Sequence, residues 1–132
     1  MSEASIVQWI EEASVVEIQR ELIARHGGLH GLRDKALLES ALARPRNLIA
    51  YGAPDIYELA ASYAVGLCKN HAFIDGNKRI AFAIAAVFLD VNGYELTANE
   101  GEATVVMLDL AAGLIEEPMM AQWFKDFTRK QA

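Results

Sequence analysis

Apolar residues recur along most of this chain at helical spacing. Val15, Ile18 and Leu22 share one face behind Ser14-Val15-Val16-Glu17, which has the form of a capping box, and Gly27-Gly28 stops that segment. Asp34 is placed to cap a second helix carrying Leu37, Leu38, Ala41 and Leu42, which Pro45 is expected to end. Residues 45–54 hold no helical pattern, and Asn47, Tyr51, Gly52 and Pro54 mark a loop or short hairpin. Asp55 then caps a helix through Lys69, with Glu58 in its first turn and Ile56, Leu59, Ala60, Tyr63, Ala64 and Leu67 on one face.

A polar stretch, residues 71–79, forms the turn out of that helix. The next helix, about 78–91, is apolar on nearly every side, so it is expected to be the one around which the others pack. Asn92-Gly93 closes it and Tyr94-Glu95-Leu96 is expected to be extended. Asn99 to Gly113 and Pro118 to Lys130 give two more helices. Six helices without a strand repeat predict an all-α domain, a six-helix bundle with at most one small β-hairpin.

Composition narrows the classes. The 132 residues fit a single domain over 1–132, and 53% apolar content is enough to bury a core without a disulfide or structural metal. A formal charge of −6 with no basic stripe argues against direct DNA binding, which needs a cationic surface. Cys68 is the only cysteine and lies in an apolar helix, which reads as a small buried hydrophobe in a reducing, cytoplasmic protein. Met1 to Gln8 shows no signal-peptide pattern, and the run Ile80 to Leu89 is too short for a membrane span.

The chemistry is concentrated in His71-Ala72-Phe73-Ile74-Asp75-Gly76-Asn77-Lys78-Arg79. Histidine titrates near neutrality, at about 6.5, so His71 suits a general base that takes a proton from a hydroxyl. Asp75 offers a hard carboxylate of the kind that holds Mg²⁺ together with phosphates and water. Gly76 lets backbone approach a phosphate closely, and Asn77 brings amide donors. Lys78 and Arg79 stand where the next helix begins. Two cations there oppose the helix dipole, and a bound polyphosphate removes that conflict. Taken singly, each residue has a plainer reading. His71 would be a hydrogen-bonded structural histidine, Asp75 a cap, Lys78 and Arg79 a solvated helix start, and Phe73 a core anchor that pins the loop.

These nine residues match every specified position of the Doc (death-on-curing) form of the Fic/Doc superfamily signature, H-x-F-x-(D/N)-(A/G)-N-K-R. Upstream, His26-Gly27-Gly28, Gly31-Leu32-Arg33-Asp34 and Leu37-Leu38-Glu39-Ser40-Ala41 also look like that family, as do Leu89 and Asn92-Gly93 downstream. The resemblance spans about residues 14–127 and implies the Fic fold, a helical bundle whose motif loop joins two central helices. The wider Fic pattern, H-x-F-x-x-G-N-G-R-x-x-R, belongs to enzymes that transfer AMP to a protein hydroxyl. This chain departs from it at Lys78, in place of a glycine, and at Phe82, in place of an arginine. The Doc branch, which has the lysine, resembles a protein kinase: it binds ATP turned around and transfers the γ-phosphate to a target, elongation factor Tu in the best-known case.

The resemblance implies that His71 is the base, that Asp75 holds Mg²⁺, and that Gly76, Asn77, Lys78 and Arg79 hold the phosphates of ATP. Lys69 either adds charge at the site edge or is a solvated helix-end lysine. Residues 45–54 lie where the family has a target-docking flap, in which Tyr51 either touches the target or packs on the bundle. No serine or threonine lies four residues before a glutamate, so the inhibitory (S/T)-x-x-x-E-(G/N) helix of self-restrained relatives is missing; Thr97 to Glu100 is one residue short. Restraint is therefore expected from a Phd-like antitoxin, in a type II toxin–antitoxin module. The competing readings are an AMP transferase and a catalytically silent domain that only binds a partner.

Overall fold

The structure, a computed structural model, describes residues 6–131. Six helices and one small sheet follow in the order α1 (Glu12–His26), α2 (Lys35–Tyr51), α3 (Ile56–Asn70), α4 (Asn77–Val91), β1 (Tyr94–Leu96), α5 (Glu100–Ala111), α6 (Glu117–Asp126) and β2 (Thr128–Lys130). The mostly helical expectation holds. Local signals placed several starts correctly. Asp34 accepts the Leu37 N–H at 3.0 Å, and Asp55 and Glu58 form a reciprocal capping box at the head of α3.

The centre of the bundle is α3, not α4 as the apolar pattern suggested. Helices α2, α4 and α6 all pack on it. Its inward positions are small: Ala60, Ala61, Ala64 and Gly66 are buried beside Leu59, Tyr63 and Leu67. A Cβ on Gly66 would stand 3.3 Å from the Ala41 backbone, so the glycine is what lets α2 approach so closely. Helix α4 takes the second place, packed on α1, α3, α5 and β1.

Four further expectations, drawn from local signals, fail. Pro45 does not end α2; it is buried inside the helix, which runs to Tyr51. An internal proline costs about 3 kcal/mol in an isolated helix. Here Leu48 and Ile49 beyond it pack against the core, and that burial offsets the lost backbone bond. Residues 45–54 are therefore mostly helix and hold no hairpin. The only sheet among the described residues pairs β1 with β2, antiparallel, with Tyr94 opposite Lys130 and Leu96 opposite Thr128. It takes residues 128–130 out of the helix expected over 118–130. Ser14 caps nothing, because α1 already starts at Glu12. The chain before it is pinned: the Ile10 N–H donates to the buried Tyr63 hydroxyl at 3.1 Å, and Trp9 stacks on Phe88.

Candidate active site

The motif loop is built by closing α3 and opening α4 within a few residues. Helix α3 ends at His71, whose left-handed backbone (φ 49°) turns the chain sharply. Arg33 caps that end: Nε donates to the His71 carbonyl at 2.8 Å and Nη2 to the Asn70 carbonyl at 3.2 Å. The next peptide is gripped by the segment before α2. Arg33 and Asp34 both donate backbone N–H groups to the Ala72 carbonyl, and the Ile74 N–H donates to the Gly31 carbonyl at 3.0 Å. Phe73 is fully buried and anchors the loop, as expected of it.

Gly76, left-handed at φ 76°, leads into α4. That helix start has no side-chain cap and no acid in its first turn. Its first N–H groups have no intrahelical acceptor, and Lys78 and Arg79 stand exposed beside them. Neither cation is in an ion pair among the described residues. The result is an uncompensated positive helix end, which by geometry and charge together suits an anion.

This end opens into a cleft of about 700 Å³. His71, Asp75, Gly76, Asn77, Lys78 and Arg79 all line it, facing Leu22 and His26 of α1 and the start of α5. Six of the residues singled out in the sequence thus meet at one cavity. Lys69 and Tyr51 do not line it. Lys69 is exposed on the last turn of α3, and Tyr51 ends α2 with 91% of its surface exposed. Burial pushes the Cys68 thiol up, against the pull of Lys69 and Lys78, so no thiolate is favoured there.

Two side chains do work that the motif alone did not reveal. The Asn77 amide is turned back on the loop: Oδ1 accepts the Phe73 N–H at 3.1 Å and Nδ2 donates to the Phe73 carbonyl at 3.0 Å. What Asn77 chiefly offers an anion is its backbone N–H. Asp75 Oδ2 accepts the Leu29 N–H at 2.7 Å, which ties the carboxylate to the turn after α1. No cluster of three or more His, Cys, Asp or Glu side chains able to hold a metal occurs among the described residues. A single carboxylate beside such a helix start is still compatible with Mg²⁺, which takes most of its ligands from phosphates and water.

Residues 9–89, which hold the motif and the helices that carry it, match the Fic/DOC family. The chain belongs to that family. Its six helices and small sheet are the Fic fold. It is similar to Toxin Doc of Mycolicibacterium smegmatis, at 43% identity over 76 residues, 55% of this chain and 58% of that protein. It is also similar to Protein kinase doc of Escherichia phage P1, at 33% identity over 88 residues, 66% of this chain and 70% of that protein.

Among the contributors to this Fic/DOC site that the sequence left unmarked, Arg33 was visible only as part of the upstream resemblance. Its capping role needs the fold. Gln19 had a signal that went unread: it is a polar residue four after Val15, on the buried face of α1. No helix of the described residues is long and apolar enough to cross a membrane.

Proposed function

We propose that this chain is a Doc-type protein kinase that transfers the γ-phosphate of ATP to a serine or threonine hydroxyl of a target protein. The observation that carries this reading is the meeting of His71, Asp75 and the uncapped, cationic start of α4 at one cleft. Phosphoryl transfer asks the protein mainly for positioning and charge neutralisation, and this wall offers both. His71 takes the proton from the target hydroxyl. The hydroxyl oxygen bonds to the γ-phosphorus as the bond to the β-phosphate oxygen breaks, and ADP leaves. Lys78, Arg79 and the backbone N–H groups at Gly76 and Asn77 hold the phosphates. Bound at Asp75, Mg²⁺ would neutralise charge that builds on the phosphate oxygens.

The biology that fits is the toxin of a type II toxin–antitoxin pair, acting in the cytoplasm. Elongation factor Tu is the target to try first, with arrest of translation as the consequence. A Phd-like antitoxin supplies the restraint, since this sequence holds no (S/T)-x-x-x-E-(G/N) motif. Lys78 is what favours γ- over α-phosphate chemistry: its side chain occupies the position at which AMP-transferring relatives have glycine, and Phe82 replaces their distal arginine.

Parallel assays with γ-labelled and α-labelled ATP on elongation factor Tu test the reading. Label from γ alone is the expected result. Label from α alone would make the chain an AMP transferase. Absence of both, with nucleotide binding also absent, would favour a partner-binding domain.

A further inference from the structure

Gln19 is a buried amide that the reaction proposed above does not use. It lies on α1 with 1% of its surface exposed. An amide is carried into a core only when both its ends find partners, and the partners here are specific. Nε2 donates to the Asp75 backbone carbonyl at 3.3 Å, and Oε1 accepts from His30 Nδ1 at 2.7 Å. Because Nε2 is the donor, Oε1 must accept, so the Nδ1 of His30 carries the hydrogen.

The same turn holds the Asp75 side chain through the Leu29 N–H, and the Ile74 N–H returns to the Gly31 carbonyl. Residues 29–31 and 74–75 are therefore joined on both sides of the Gln19 amide. Gly28 completes the fit. Its φ is +110°, and a Cβ there would stand 3.3 Å from both Cβ and Oδ2 of Asp75.

We propose that Gln19 is a positioning residue that, with His30, locks the turn after α1 to the motif loop and so sets how the Asp75 carboxylate meets a Mg²⁺–polyphosphate. The inference rests on the assignment of Asp75 as the Mg²⁺ ligand. The Leu29 N–H holds Oδ2 at 2.7 Å, and Oδ1 has no hydrogen-bond partner among the described residues. Groups that orient a metal ligand are worth about 10–100-fold in metal affinity.

The test reads binding rather than turnover. Calorimetry with the non-hydrolysable analogue AMP-PNP, with and without Mg²⁺, gives the Mg²⁺-dependent gain in affinity for wild type, Gln19→Leu and His30→Ala. Gln19→Leu keeps the volume and removes both bonds. The expected result is about a tenfold smaller Mg²⁺-dependent gain, with Mg²⁺-free affinity unchanged. His30→Ala is at an exposed position and decides the matter if Gln19→Leu fails to fold; a smaller loss of the same kind is expected. A lower melting temperature with the full Mg²⁺ gain in every folded variant would reduce Gln19 to a core residue and overturn the proposal. No Mg²⁺ gain in wild type would overturn the Asp75 assignment itself, and this inference with it.

Discussion

Two helix starts face the same cleft, and they are built in opposite ways. Helix α5 completes itself. Asn99 accepts the Glu102 N–H at 2.8 Å, Glu102 accepts the Asn99 N–H at 2.9 Å, and Glu100 adds a second acid to the first turn. Helix α4 leaves every one of those requirements open. Its lead-in residue is a left-handed glycine, its first turn has no acid, and Lys78 and Arg79 add charge of the wrong sign. A helix end that is satisfied from within is there to hold the fold. One left open at a cavity, where capping would have been easy to encode, is suited to an anion.

The largest expected break in that comparison removes the chemistry beside the open end. His71→Ala should lower phosphate transfer by about 10²–10⁴-fold, the usual worth of a general base, while nucleotide binding persists. Radiolabel transfer and calorimetry on the same preparation check both halves; full activity in the variant would end the base assignment. Next comes a charge reversal. Lys78→Glu supplies the acid that α4 lacks, so it should raise the melting temperature, by an amount equivalent to about 0.3–1 kcal/mol, while ATP affinity falls more than tenfold. A variant both less stable and unimpaired in binding would contradict the reading of this helix end.

The mirror experiment is at α5. Asn99→Ala should cost about 1 kcal/mol in urea unfolding and leave ATP affinity unchanged, because that end has no task beyond its own cap. The smallest effect belongs to α3. Burial raises the Tyr63 hydroxyl and the Cys68 thiol above their ordinary values. Both groups fold in their neutral forms, so their contribution is present below the unfolded-state values and is lost as pH rises through the alkaline range. Urea midpoints should fall as pH rises above about 9, and Cys68→Ala should flatten the first part of that slope.

What was legible in the sequence was legible because its causes are local. The caps at Asp34 and Asp55 act across three residues and were readable from spacing alone. So was the run from Ile80 to Leu89, whose apolar content leaves little choice but burial. The motif was readable because its chemistry is packed into nine consecutive residues. Tyr51 shows the limit. A proline, a glycine and an asparagine nearby suggested a hairpin, whereas contacts of Leu48 and Ile49 with the core keep the segment helical.

By itself, then, the sequence determined that this is a helical domain with a Fic/DOC-type motif between two apolar helices. Short-range hydrogen bonding, side-chain periodicity and charge next to a helix start are sufficient for that. Only the tertiary structure decided that α3 and not α4 is the hub, that Pro45 is tolerated, and that the sheet pairs residues 94–96 with 128–130. It also decided that the Asn77 amide braces the Phe73 peptide and that Gln19 reaches across 56 positions to Asp75. Each of these depends on which surfaces meet after the chain has collapsed. Burial energy is shared among distant residues at that stage, and no local spacing records it.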